Sequence, residues 1–414
     1  MTSRPTGMSL LTLVPAFAAP AAWFVLLTIA RPGLVGDEVY HVPAIRALAD
    51  GDWGPARILP MPPTYHLLAA LCARLVGDEL WILRAFNALL SGLTLAIFGW
   101  AAARHDPDGA AHRLWRLAWN PLVGPLWVLA YTDAAALLGL AFALAFFARR
   151  QHTWAAGGLL LAGLIRQSNI LWLAAFAALT GVNPRGDRSA GPHGRLTELA
   201  KRLWPYALAL AAAAVILTHA APTGPPLIEN QPRFNPAQFY LFGLTGAVLI
   251  APAWLPAAAA LWRRWLERAF LRPWLCAAAI AAVGLLELAF SNPHPWNVDL
   301  NYLRNWPLLA MTKYVAARYL AAVLLVAFVP TVVTLAWTGP QRTALAVVAG
   351  AVLVFLAAHY LVDPRYYIVP VVLLDFWSTP AARRARRLTI WYVLLSAALA
   401  AFMALQPGGL HGVA

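Results

Sequence analysis

The chain has 414 residues, of which 61% are hydrophobic and only 12% charged, with a mean hydropathy of +0.64. Soluble domains carry about a quarter charged residues, so a water-soluble globule is excluded and a bilayer must replace most of the water-facing surface. The net charge of +14 does not imply nucleic acid, because the arginines gather in short clusters between apolar runs, as in the positive-inside pattern.

Those clusters are Arg113 and Arg116, Arg149 and Arg150, then 185–202, 263–272 and 383–387. Lys201 and Lys313 are the only lysines and alanine is abundant, a composition that fits a high-GC bacterial coding bias. This predicts an integral protein of a bacterial inner membrane, or of the endoplasmic reticulum membrane if the source is eukaryotic. Cys72 and Cys276 both lie in apolar surroundings and form neither a disulfide framework nor a zinc spacing.

Taken in chain order, an apolar run covers 8–30. It has a signal-like start, but it continues past any plausible cleavage point to Ile29, so a retained first span is expected. With Arg4 in the cytoplasm, 31–85 is an external loop. Its apolar stretch 64–77 reaches only about 21 Å against a hydrocarbon core of roughly 30 Å, so it reads as an interfacial helix. Span 86–103 returns to the arginines at 104–116. Residues 117–148 must leave and come back, with the turn near Tyr131-Thr132-Asp133. Residues 154–181 do the same, with the turn at Arg166-Gln167-Ser168-Asn169.

Further spans fall near 203–220, 238–257, 274–291, 315–338, 344–361, 366–379 and 388–406. The expectation is an all-α polytopic membrane protein, a single domain over 1–414 with about 11–13 transmembrane helices and short interfacial helices on its external face. In that topology the polar clusters that are not arginine staples all fall on the external side. Ionisable residues at membrane depth are costly and suggest a working site.

Asp37 and Glu38 directly follow the first span. Adjacent carboxylates at the edge of a membrane core suit base chemistry, since partial burial and mutual repulsion raise one pKa. Neighbours point different ways, so one is expected to be catalytic and the other structural. The competing reading is Asp37 as the N-cap of the helix containing 45–48. Arg166 lies between two apolar runs, where it either grips a phosphate or pairs internally with Asp133. Arg365 allows the same two readings, with Asp363 as its partner. Asp299 and Arg304 sit among aromatics that either stack on a sugar or belong to an interfacial belt. His41 and His294 read as interfacial hydrogen-bonding groups or as metal ligands, without a compact ligand spacing. No phosphate-loop, dinucleotide or serine-nucleophile pattern occurs, which suggests a donor that itself resides in the membrane.

The motifs Gly36-Asp37-Glu38-Val39-Tyr40-His41-Val42-Pro43, Gly51-Asp52-Trp53 and Pro62-Pro63-Thr64-Tyr65 resemble the opening of the dolichyl-phosphate-glucose-dependent α-1,2-glucosyltransferases, which add the last glucose to the lipid-linked N-glycan precursor. The likeness continues in order through Leu83-Arg84 with Asn87, Asn120-Pro121-Leu122 and Tyr131-Thr132-Asp133. It is strongest at Arg166-Gln167-Ser168-Asn169-Ile170, and resumes at His294-Pro295 with Asp299, Tyr302 and Trp306, then at Arg365-Tyr366-Tyr367-Ile368. Val35 and Gly36 depart from the residues usually seen before the Asp-Glu pair, and the loop 222–237 lacks expected histidines.

The resemblance implies a GT-C type membrane glycosyltransferase that takes a hexose from a polyprenyl phosphate and inverts the anomeric centre. It makes Asp37 the base and Glu38 its orienting partner. It assigns donor and substrate contacts to His41, Asp133, Arg166, Gln167, Asn169, His294, Asp299, Arg304, Arg365 and Tyr366. The expected partners are the lipid bilayer, a polyprenyl-phosphate-linked sugar and a glycan or lipid-linked acceptor, with no nucleic acid, metal or cofactor. A lipid-linked sugar or polysaccharide transporter is the alternative class.

Overall fold

In the computed structural model, the described residues are 10–59, 61–182, 192–219, 233–270, 272–294, 297, 306–337 and 339–405. Every regular element among them is helical. The chain divides into two compact units, Met1–Leu227 with Val393–Val413, and Ile228–Tyr392.

The first unit contains α1 (Leu10–Ala30), α2 (Glu38–Ala49), α3 (Gly54–Ile58), α4 (Thr64–Val76), α5 (Leu80–His105), α6 (Ala110–Ala118), α7 (Thr132–Ala148), α8 (His152–Ile165), α9 (Leu171–Val182) and α10 (Pro192–His219). The second contains α11 (Ala237–Leu249), α12 (Ala251–Leu266), α13 (Arg272–Ala289), α14 (Trp306–Lys313), α15 (Val315–Trp337), α16 (Arg342–Ala357), α17 (Ile368–Trp377) and the start of α18 (Ala382–Leu405).

Among the described residues, five helical stretches are long and apolar enough to cross a membrane unaided: α5, Arg195–Thr218 of α10, α13, α15 and α18. The pair α11 and α12 adds a sixth if counted as one broken span. The remaining helices needed for the expected 11–13 are short apolar ones, such as α7, α8 and α16.

Two expectations are corrected. The single span 238–257 is broken at Ile250, where α11 and α12 meet at 96°. Pro252 stands at the start of α12, where a missing N–H costs nothing but an uninterrupted helix would clash with its ring. The outward crossing expected over 117–131 is absent. Past α6 the chain forms turns and one 3-10 turn, Gly124–Trp127, because Pro121, Gly124 and Pro125 interrupt any long helix. The hairpin expected over 154–181 does form, as α8 and α9 joined by a 3-10 turn at Gln167–Ile170.

Non-helical backbone inside apolar protein is tolerated only where its polar groups find partners. The strip 119–131 obtains them from α2 and α5. Asn87 Nδ2 donates to the carbonyls of Leu129 and Tyr131, Ser91 Oγ donates to Trp127 O at 2.7 Å, and Ala130 N donates to Glu38 Oε1 at 2.9 Å. The second unit repeats the device around 359–363. Gln238 Nε2 donates to Leu361 O at 2.6 Å, Asn235 Nδ2 to Tyr360 O at 2.8 Å, and Asn297 exchanges two bonds with Val362.

The helices α7 and α8 pack as a tight hairpin. A side chain on Gly139 would meet Gly158 O and Ala162 N, and one on Gly158 would meet Gly139 O and Ala143 N. Gly139 with Ala143 and Gly158 with Ala162 are thus paired small-xxx-small faces that let the two backbones touch.

Candidate active site

The seven residues between α1 and α2 turn the chain from one helix into the next, and Gly36 makes the turn at φ +53°. This left-handed conformation suits glycine, and a Cβ there would strike the Tyr131 hydroxyl. Asp37 takes the N-cap position of α2 but makes no side-chain capping hydrogen bond. The capping alternative for its carboxylate is therefore not what the structure contains. Instead, its backbone N–H donates to Tyr131 Oη at 2.5 Å, while that hydroxyl donates to Val35 O at 3.0 Å. Asp37 is half-buried.

Glu38 has a very different setting. It is fully buried and pairs with Arg84, itself 1% exposed, through Nε–Oε1 at 3.1 Å and Nη2–Oε2 at 2.6 Å. Its two oxygens also accept from Val35 N and Ala130 N, both at 2.9 Å. Arg84 spends its other N–H groups on Leu27 O, Arg31 O and Gly33 O, the carbonyls at and beyond the end of α1. Every guanidinium donor and all four carboxylate lone-pair directions are used, as a buried charge pair requires. Glu38 therefore ties α1, α2, α5 and the strip 119–131 together.

Four element ends meet here. His41, in the first turn of α2, has its Nδ1 2.9 Å from His66 Nε2 in the first turn of α4, and its ring lies 5.7 Å from that of Tyr131. Thr64 Oγ1 donates to Leu164 O at 3.0 Å, which seats α4 beside the end of α8. Asp133, in the first turn of α7, forms an ion pair with Arg166, just past α8. The internal pair is thus the observed state of Arg166. Asp133 is 5% exposed, and its Oδ2 has no hydrogen-bond partner among the described residues. His66 Nδ1 is buried in the same condition. In α4, outside the spans, burial and then the charge of His41 push His66 down to about 3, so it is neutral at pH 7. Gln167 is exposed, while Asn169 is buried and donates from Nδ2 to Ala162 O at 3.3 Å.

Helix N-termini present unsatisfied N–H groups and partial positive charge. Those of α2, α4 and α7 share this cluster with the half-buried carboxylate of Asp37, the ion pairs Glu38–Arg84 and Asp133–Arg166, and the imidazoles of His41 and His66. Such a place can accept a proton at Asp37 and hold anionic or hydroxyl-rich groups.

The remaining expected residues lie in the second unit. His294 is buried with its ring 4.6 Å from that of Tyr360. Arg365 donates to Asp363 from Nε at 2.8 Å and forms an ion pair at 2.7 Å, the internal pairing that its neighbour made the alternative. The Tyr366 ring lies 4.4 Å from His359. Asp299 and Arg304 lie outside the described residues. No group of three or more potential metal ligands occurs among the described residues.

Sequence reasoning gave no role to His66, although it adjoins the quoted Thr64-Tyr65, nor to Tyr131 as the hydroxyl bridging the Asp37 turn. Arg84 and Asn87 were visible only as motif letters, since nothing local reveals that their partners lie 46 and 42 positions away.

These helices and their apolar lengths define a polytopic integral membrane protein. Residues 32–193 match the DIE2/ALG10 family, the α-1,2-glucosyltransferase family that the motifs resemble. The matched stretch contains Asp37, Glu38, His41, Asp133, Arg166, Gln167 and Asn169, and stops short of His294 and Arg365. Over those residues the chain is similar to a family of membrane glycosyltransferases. No curated protein matches it.

Proposed function

We propose that the protein transfers a hexose, glucose by family analogy, from a polyprenyl phosphate to a lipid-linked or cell-envelope glycan, with inversion and an α-1,2 linkage. The observation that carries the reading is the unlike fate of two adjacent carboxylates. Glu38 is consumed by Arg84 and two backbone donors, whereas Asp37 is half-buried at the start of α2.

In this reading Asp37 accepts the proton of the acceptor hydroxyl as its oxygen attacks the anomeric carbon. The bond from that carbon to the phosphate oxygen breaks, and the polyprenyl phosphate departs. Glu38 never meets substrate; it fixes the turn that aims Asp37. Arg166 stands beside Asp133 in the same unit and is assigned to the departing phosphate, whose charge a guanidinium stabilises through bidentate bonds. Arg304 and Arg365 keep that role only by the resemblance. The external face, lumenal in a eukaryote, is the assigned side of the reaction, following the positive-inside reading.

The test is Asp37→Asn in purified protein supplied with radiolabelled polyprenyl-phosphate hexoses and a native lipid extract. Loss of a general base lowers transfer by about 10²–10⁴-fold, while membrane insertion and donor-lipid binding persist. Normal turnover by this variant would remove the proposed base.

A further inference from the structure

At the opposite end of the α7–α8 hairpin, about 25 Å from Asp133 by the rise of α7, lies a cavity of about 580 Å³. It is lined by Arg150, His152, Trp154, Glu198, Lys201 and Arg202, among others, from the α7–α8 turn and the N-terminal half of α10. Glu198 is spent on Arg202, with Nη2–Oε1 at 2.9 Å. The lining thus carries three cationic side chains, Arg150, Lys201 and Arg202, against the single carboxylate of Glu198.

The placement of Arg150 bears on what the cavity holds. Helix α7 ends in a Schellman arrangement: Arg150 N donates to Phe147 O and Gln151 N to Phe146 O, each at 2.9 Å. The residue at this position adopts the left-handed conformation and is usually glycine. Here an arginine occupies it at φ 59°, the one non-glycine with positive φ among the described residues. A cation stands where backbone preference argues for no side chain at all, and it lines the cavity. Trp154 and Trp204, 65% and 53% exposed, flank the same end. Exposed tryptophans mark the headgroup level of a bilayer, and nearby Arg104 and Arg149 both stand over the Trp100 ring, at 5.7 and 5.3 Å.

We propose that this cavity binds the phosphate of an anionic lipid headgroup, with Arg150 and Lys201 as the charge partners and Trp154 against the acyl boundary. Phosphate is the chemistry a cation pair selects, and the tryptophans assign the lipid source. The site lies at the other end of the hairpin from the carboxylates and stands whether or not Asp37 is a base.

The full chain, purified and stripped of lipid in neutral detergent, is to be titrated with phosphatidylglycerol, phosphatidylcholine of equal chain length, and inorganic phosphate. The readouts are bound-lipid adducts by native mass spectrometry and the shift in Tm. Phosphatidylglycerol should be retained in preference to phosphatidylcholine, and Arg150→Gly with Lys201→Ala should weaken it about tenfold or more. Arg150→Gly alone suits the backbone, so its share of the loss reports the guanidinium and not misfolding. Equal retention of the two lipids, or unchanged phosphatidylglycerol binding by both Arg150→Gly and the double variant, would overturn the proposal. Competition by inorganic phosphate at equal concentration would overturn the lipid assignment and leave a soluble anion as the occupant.

Discussion

Asp37 and Glu38 differ by one position and by nearly everything else. A buried pair adds little net stability while intact, but removing one partner strands a charge in apolar surroundings, at a cost of about 3–5 kcal/mol. Arg84→Met should therefore lower stability by about that amount, since Glu38 also loses the grip it exerts on Ala130. Asp37→Asn keeps the shape of the side chain and leaves the buried Glu38–Arg84 pair intact, so it should cost well under that amount, about 1 kcal/mol or less. Urea unfolding in mixed micelles separates the two, and equal destabilisation would contradict the division of roles. A second residue-scale expectation concerns pH, at Asp106, between α5 and α6. Burial by itself raises its pKa, but the hydrogen bond and charge of Arg113 at 2.6 Å, with the Gly109 N–H, carry it below the ordinary 3.8. A carboxyl depressed on folding stabilises the protein above its unfolded value, and that contribution fades as pH drops through the folded value. Asp106→Asn should thus be less stable than the parent at pH 7 and should converge on it as pH falls below the ordinary carboxyl value and through the depressed one, as read from thermal unfolding along a pH series. A gap that stays constant along the whole acid limb would show that the pairing does not carry the difference.

At the scale of elements, the α7–α8 hairpin sets the distance between Asp133 and Arg166. Its closeness depends on Gly139 and Gly158, each of which faces the other helix's backbone. Gly158→Leu has no side chain to push aside and must part the backbones, so it should separate the ion pair and reduce transfer at least tenfold, the size of effect that misplacement of about 1 Å produces. Gly157→Leu, with open space around its Cβ position, should leave activity near the parent value; similar losses in both would show that the hairpin contact does not matter. The turn at 166–169 was legible because polar letters interrupt two apolar runs. The strip 119–131 was not. Its apolar letters read as a crossing, because hydropathy counts side chains and cannot register that Asn87, Ser91 and Glu38 supply the hydrogen bonds a helix would otherwise make. The break at Ile250 was hidden for a similar reason, since one proline at a helix start leaves mean hydropathy intact. The candidate site was legible in its charged members and in two of their pairings, Arg166 with Asp133 and Arg365 with Asp363. Asp363 beside Arg365 announced its own bond, whereas Glu38 and Arg84 did not.

For the whole molecule, the apolar surface assigns the solvent, not the reaction. Helices such as α13 expose Trp274, Ile280, Leu285 and Leu288, each more than two-thirds accessible, where a soluble protein would place charge. A transporter and a transferase both need that surface, so the two readings separate only on what they require of the bilayer. Transport has no meaning without two sealed compartments. Sugar transfer requires only that the donor lipid reach Asp37, which a detergent micelle containing the polyprenyl phosphate permits. The protein in micelles should therefore form the glycosylated product at a rate within about tenfold of that in sealed vesicles, because the chemical barrier is set inside the protein. The product should show inverted anomeric configuration by linkage analysis, and Asp37→Asn should abolish it in both media. Sugar-lipid movement across sealed vesicles, with no product in micelles and no dependence on Asp37, would place the charged cluster on a transport path instead.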